Sequence, residues 1–394
     1  MKKILLTLSF LYLVNLPGLY SQTTSDIEVY LLTCGPGTET YSIYGHSALR
    51  IVIPDKHSDI VYNWGVFDFS TPNFAWKFAK GRLEYMLGVM SPKGFLSGYV
   101  YEQRFVFSQK INLTQDEIES LLVLINENLK PENVKYRYDF FYDDCSTRIR
   151  DLLEKAIGKA LLYPPGEDET IPTFRDMVGK YQNPYPWLKS GIDFIMGSPG
   201  DKDAQYRDRM FLPIDMQNEL VEARINRSGK MIPLLQNPEI ILDFVTPIHK
   251  LNFFLTPIFI FTLLLIIVII LSGLLINSKI INLIDIIIFS VYSILALLMI
   301  FFNFFTDHQQ MKWNLNIIWL NPIIFICLIS LIFSKAGIIW FRFVFYISTL
   351  FFVIQIVLPQ EFNGAIIPLV VILIFRSSVR SDFGWNPFSR KELP

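Results

Sequence analysis

Between residues 251 and 375 the chain carries only seven charged side chains: Lys279, Asp285, Asp307, Lys312, Lys335, Arg342 and Glu361. A tract so long and so poor in charge cannot form the surface of a soluble domain, and it is long enough to cross a bilayer several times. It divides into five apolar runs, roughly 253–276, 283–304, 316–333, 338–358 and 364–375. These runs predict five transmembrane helices, the last one short. Helices rather than barrel strands imply the inner membrane where a cell has two. The other residues hold most of the 35 basic and 36 acidic side chains, a density normal for a soluble domain. A formal net charge of −1, with no long basic run, excludes a nucleic-acid binder, and 52% hydrophobic residues exclude disorder.

The first residues read as a secretory signal. Lys2 and Lys3 precede an apolar stretch, Ile4 to Val14, too short to span a bilayer, and Pro17-Gly18 breaks it before a cleavage point after Ser21. A retained anchor helix is the alternative. No cysteine follows the cleavage point, so lipidation there is not expected. If the signal exports the front domain, then Lys279, Lys335, Arg376, Arg380, Arg390 and Lys391 fall on the cytoplasmic side, as the positive-inside rule requires. The loop at 303–316, with Asp307, His308, Asn314 and Asn316, then lies on the same side as the front domain. Polar groups at a helix mouth point to use, although a plain connecting loop is the alternative. The divisions are a signal at 1–21, a soluble domain at 22–160, an extension at 161–250, a membrane domain at 251–376 and a cytoplasmic tail at 377–394.

The front domain reads as mixed α+β. Glu28–Leu32, Gly45–Ile53, Ile60–Trp64 and Glu102–Phe107 predict strands, and Pro54-Asp55-Lys56 a turn. Thr114-Gln-Asp-Glu117 predicts a capping box that starts a helix to about Leu129, before Pro131. A second helix is expected from Cys145 to about Ile157, with Ile149, Leu152 and Leu153 on one face. Residues 160–250, rich in Pro and aromatic groups, predict short helices lying against the bilayer at Trp187, Ile192, Phe194, Ile195 and Met196, or else packed on the core.

The chemistry-bearing residues are few. Cys327 lies in an apolar run, His57 in a turn and His249 at the membrane boundary, which leaves Cys34, Cys145, His46 and His308. No metal-ligand spacing exists, so no metal or cofactor is expected. Cys145 opens a predicted helix, where free backbone N–H groups and the dipole lower a thiol pKa, and Arg148 one turn on adds positive charge. Asp143 and Asp144 oppose that effect, and they are also good N-cap residues. His46 sits on a strand after Gly45 and can serve as general base and acid toward Cys145. Asn63 on the next strand is the expected orienting partner, with Asp68 second. A Cys34–Cys145 disulfide is the competing account of the two cysteines.

Leu31–Gly37 (LLTCGPG), Tyr41–Ile51 (YSIYGHSALRI), Tyr62–Phe69 (YNWGVFDF), Phe78–Tyr85 (FAKGRLEY), Tyr138–Asp151 (YDFFYDDCSTRIRD), FLP at 211–213 and Thr306–Pro322 (TDHQQMKWNLNIIWLNP) together resemble the Lnb family, lipoprotein N-acyltransferases of Bacteroidota. The resemblance implies a permuted, NlpC-like papain-type periplasmic domain, with the histidine strand ahead of the cysteine helix, followed by a membrane domain. It implies Cys145 as nucleophile and His46 as proton carrier. The acyl group would pass from a phospholipid through a thioester to the amine of a diacylglyceryl-cysteine lipoprotein. Tyr44, Ser47 and Arg148, with Asp307, His308, Asn314 and Asn316 at the membrane, are the expected substrate contacts. The family pattern more often has Asn before the cysteine; Asp144 stands here, and its charge would raise the thiol pKa. A membrane-anchored cell-wall amidase with the same dyad, and a non-enzymatic receptor or chaperone with a Cys34–Cys145 bridge, are the other readings.

Overall fold

The computed structural model describes residues 27–164, 171–245, 252–275, 279–333 and 337–381. The expected signal segment, His249 and most of the tail lie outside the described residues. The strands are β1 (Glu28–Cys34), β2 (His46–Ile53), β3 (Ser58–Val66), β4 (Glu84–Met90), β5 (Val106–Lys110), β6 (Lys135–Arg137), β7 (Leu161–Leu162), β8 (Arg224–Arg227), β9 (Lys230–Pro233) and β10 (Glu239–Leu242). Seven of them form one antiparallel sheet in the order β10-β5-β1-β2-β3-β4-β6, and β7-β8-β9 form a second.

Side-chain alternation covers both faces of the large sheet. Val29, Leu31, Leu49, Ile51 and Trp64 pack against the helices Gln115–Asn128 and Cys145–Ile157. Leu32, Cys34, Ala48, Val61 and Val106 pack against Phe95 of the helix Pro92–Tyr101. The capping box forms as its residues dictate: Thr114 Oγ1 accepts from Glu117 N at 3.3 Å, and Glu117 Oε2 accepts from Thr114 N at 2.9 Å. One expectation shifts. The strand read at Glu102–Phe107 begins only at Val106, because Gln103 takes a left-handed backbone (φ 53°) and turns Arg104 into the interior. Strand β4, β10 and the helices Phe74–Ala79 and Pro92–Tyr101 were not foreseen.

The extension contains the helices Phe174–Gln182, Pro186–Ile195 and Pro213–Glu222, together with the small sheet. Phe174 stacks on Phe141 with centroids 4.5 Å apart, and Phe211 abuts both rings at 5.3 Å. Trp187 reaches the membrane region: its indole donates to Leu255 O at 2.8 Å and meets Phe261 edge to face. The extension therefore packs on the core and on the first apolar helix together.

Among the described residues, three helices are long and apolar enough to cross a membrane: Pro257–Leu274, Lys279–Phe305 and Ile338–Val357. Two shorter apolar helices, Ile323–Ile332 and Ile366–Arg380, pack with them. The run read at 316–333 yields an α-helix of only ten residues, because Asn314 and Asn321 hold its first part in turns through side-chain bonds to backbone. Asp285 accepts from Arg376 Nε and Nη2 at 2.6 and 2.8 Å; Arg376 Nη1 donates to Ser272 Oγ at 2.7 Å, and Arg380 joins the same carboxylate. Asp285 and Arg376 are fully buried. This cluster ties together three helices, and Tyr292 OH adds a bond to the Leu369 carbonyl at 2.6 Å. Asp285→Ala leaves two guanidiniums without their counter-charge and is expected to destabilise the membrane domain by about 3–5 kcal/mol, read as a lower unfolding midpoint in detergent.

Candidate active site

Cys145 is the first residue of its helix, and the cap that places it there is Asp144. The Asp144 carboxylate accepts from Thr147 N at 2.8 Å, and Thr147 Oγ1 accepts from Asp144 N at 2.7 Å. Such a cap contributes about 1 kcal/mol and fixes the first turn. Cys145 is 6% exposed and opens onto a cavity of about 790 Å³.

His46 opens β2, and its Cα is paired with that of Cys34 in β1. Gly45 makes the approach with φ +83°; a Cβ there would lie 2.7 Å from the Cys34 carbonyl oxygen, so no larger residue fits. The imidazole Nε2 donates to Asn63 Oδ1 at 2.6 Å. That bond sets the tautomer and leaves Nδ1 with the free lone pair. Asp68 instead bonds Ser70 at the surface. Gly65, at the end of β3, lies beside both His46 and Cys145. A Cβ at Gly65 would lie 3.8 Å from His46 Cε1 and 3.9 Å from Cys145 Cβ, so both residues border the space left by the missing side chain. The Gly65 backbone is left-handed (φ +91°), which favours glycine. The glycine was visible within YNWG, but only the fold shows what it lies beside.

The electrostatics differ from the expectation for a helix-end thiol. Burial pushes the Cys145 thiol up, against the opposing pull of the Ser47 backbone N–H, the Ser146 hydroxyl and the N–H groups of Ser146 and Cys145 itself. Desolvation outweighs the helix terminus, so the resting group is a thiol and not a preformed thiolate. Burial also lowers the His46 pKa, with Asn63 pulling the other way and Arg104 adding to the fall. The pair therefore rests neutral at pH 7, the form in which imidazole can accept a proton. Asp144 is pushed well above the usual carboxylate range by burial and then by the neighbouring sulfur.

Arg148 does not supply charge to the thiol. Its guanidinium forms a two-point pair with Asp143 at 2.5 and 2.9 Å and lies 3.5 Å above the Tyr136 ring, outside the cavity. Cys34 and Cys145 are both free thiols, which removes the disulfide account. Burial raises the Cys34 thiol to about 12, so it is inert at neutral pH.

Tyr44 and His308 line the cavity together with His46, Asn63 and Cys145. Tyr44 OH accepts from Gln182 Nε2 at 2.7 Å. The Ser47 side chain is fully buried beside Ser146, and it is the Ser47 backbone N–H that faces the sulfur. Asp307 lies outside the cavity and binds Arg82 at 2.7 Å. Asn314 and Asn316 are buried away from it, and both donate to the Phe194 carbonyl, at 2.8 and 3.1 Å. They join the membrane loop to the extension and leave no polar atom facing a ligand.

Sequence reasoning missed the cavity's apolar wall. Phe67, Phe74 and Phe78 follow one another with centroids 5.9 and 6.3 Å apart, and Phe78 meets the His308 ring at 6.2 Å. The His308 imidazole Nε2 bonds the Phe78 carbonyl at 2.8 Å. Ile192, Ile195 and Met196 of the extension and Met311 of the membrane loop complete this side. A row of aromatic rings thus leads from the residues after Gly65 to the membrane loop.

Two family models match the chain: the Lnb N-terminal periplasmic domain over residues 20–177 and the Lnb transmembrane domain over residues 249–382. The chain belongs to the Lnb family. It is accordingly a membrane protein with a periplasmic portion, and the dyad lies within the segment matched to the periplasmic domain. No curated protein and no solved structure matches the chain.

Asp144→Asn tests the electrostatics of this Lnb protein. Asparagine caps a helix equally well. The buried acid favours its protonated form in the native state, so its contribution to stability falls as pH rises from the ordinary carboxylate range toward its raised native value. Its replacement is expected to remove that loss, holding the neutral-pH unfolding midpoint at or above the parent's. Alkylation of Cys145 by iodoacetamide is expected to become severalfold faster at pH 8.

Proposed function

We propose that this protein is a lipoprotein N-acyltransferase in which Cys145 carries a fatty acyl group as a thioester. In this reading the front domain is of the permuted papain-like class. All five apolar helices cross the inner membrane, and the catalytic domain lies on the periplasmic side. The observation that carries the proposal is the shared cavity: the Cys145–His46 pair opens onto an apolar, aromatic-walled space closed on one side by the membrane loop residues His308, Gln310 and Met311. Such walls suit an acyl chain arriving from a bilayer. A polar cell-wall peptide would leave them exposed to water, so the amidase reading is disfavoured.

In the first step His46 Nδ1 takes the thiol proton while Sγ attacks the ester carbonyl of a phospholipid. The carbon–sulfur bond forms, and the backbone N–H groups of Cys145 and Ser47 hold the carbonyl oxygen as it becomes an oxyanion. Collapse breaks the ester carbon–oxygen bond, and the imidazolium returns its proton to the departing alkoxide, releasing a lysophospholipid. In the second step the α-amine of a diacylglyceryl-cysteine lipoprotein attacks the thioester. His46 removes a proton from the amine and gives it to the leaving sulfur, so the enzyme is restored and an amide replaces an ester. Asn63 keeps Nδ1 aimed at the sulfur throughout.

Full-length protein mixed with phospholipid vesicles alone is expected to gain one fatty acyl mass on Cys145 by intact-mass and peptide analysis. Cys145→Ala and His46→Ala should each lower turnover by at least about a hundredfold while the protein stays folded; an acyl adduct mapping to another residue refutes the mechanism. Asn63→Ala should lower turnover by about tenfold, with the nucleophile and base still in place.

The pH dependence has a defined sign. Because His46 must be neutral to act as base, and its pKa lies below the ordinary 6.5, kcat/KM should rise with pH through a value under 6.5 and then level off. An acid limb centred above 7 contradicts the assignment.

A further inference from the structure

The cavity has a second end, and its chemistry differs from the aromatic wall. Across the sheet the order runs β5, β1, β2, β3, β4. The aromatic rings follow β3, so they lie to one side of His46 on β2. On the other side, beyond Cys34 on β1, the chain entering β5 presents Arg104. Arg104 lines the same cavity as Cys145 and is 7% exposed.

Its guanidinium is held on three sides. Nε donates to the Gly35 carbonyl at 2.7 Å, Nη1 donates to Glu102 at 2.9 Å, and the group lies 4.8 Å above the Tyr99 ring. Nη2 is buried and has no hydrogen-bond partner among the described residues. An unpaired donor on a buried cation is expensive, and a rigid guanidinium fork is the side chain best matched to phosphate oxygens. The ester oxygen needs no such donor, since backbone N–H groups at Cys145 and Ser47 already serve it.

We propose that Arg104 binds a phosphodiester oxygen of the acyl donor and so selects glycerophospholipids over neutral acyl glycerols. This rests on the acyl-transfer reading and adds an orientation to it. The acyl chain runs over β3 toward the membrane loop, the reacting ester sits between His46 and Cys145, and the glycerophosphate lies over β1 and β5. Neighbouring strands are about 4.8 Å apart, and β1 lies between β2 and β5, so a glycerol unit and the Arg104 side chain together bridge the two spacings.

The test uses full-length protein in detergent and two fluorescent donors with the same short acyl chains, a phosphatidylglycerol and a diacylglycerol. Acyl-thioester formation is measured for the parent, Arg104→Gln and Arg104→Lys. Binding of each donor is measured separately by polarisation in Cys145→Ala and Cys145→Ala/Arg104→Gln, where no chemistry intervenes. Arg104→Gln is expected to lower kcat/KM for the phosphatidyl donor about tenfold or more, the loss expected for one charge-assisted hydrogen bond, mainly through KM. The preference for phosphatidyl over neutral donor should fall by the same factor in turnover and in binding, and Arg104→Lys should restore part of it. Equal losses with both donors, or an unchanged preference, mean that Arg104 only supports the Gly35 loop and overturn the proposal. A parent protein that forms no thioester with either donor overturns the acyl-transfer reading as well. The binding comparison still decides whether Arg104 recognises phosphate.

Discussion

At the Phe194 carbonyl the loop between membrane helices is bound to the front part of the molecule. This carbonyl accepts from Asn314 and Asn316, both buried and both rooted in that loop. Gly197 N donates to the Gln310 carbonyl at 2.8 Å close by, and Gln310 also bonds Asp139 in the segment that leads to Cys145. A loop carrying this many polar groups could not sit against lipid unless each found a partner. Once paired, it serves as one wall of the cavity that Cys145 and His46 line.

The closed cavity then sets the behaviour of the dyad. Removing water raises the Cys145 thiol and lowers the imidazole, so neither group is charged at rest. A neutral thiol is less reactive toward stray electrophiles than a standing thiolate. The Asn63 bond to Nε2 fixes the orientation of the imidazole. The same low-polarity surroundings strengthen each remaining hydrogen bond.

The membrane helices therefore do more than anchor. Their packing is held by the buried Asp285–Arg376–Arg380 cluster at one end, and the polar loop at 303–316 emerges to meet Phe78, Arg82 and Phe194. The cavity lined by Cys145 and His46 is thus joined to the loop between membrane helices. Trp187 adds a further tie, from the extension to the first apolar helix.

Much of this was legible in the residues. The scarcity of charge after residue 251, the capping box at Thr114, the helix beginning at Cys145 and the His46–Asn63 partnership all follow from local pattern, because period, capping chemistry and strand adjacency act over short stretches of chain. The sequence also singled out Asp307, His308, Asn314 and Asn316 as one cluster, but it could not divide them. Folding puts His308 at the cavity, pairs Asp307 with Arg82 and buries the two asparagines against Phe194. The direction of the Cys145 shift, the neutralisation of Arg148 by Asp143, the gap left at Gly65 and the unpaired amino group of Arg104 were settled only by tertiary structure. Each is a balance between desolvation and partners brought from distant segments, and neither quantity exists until the chain has closed around the site.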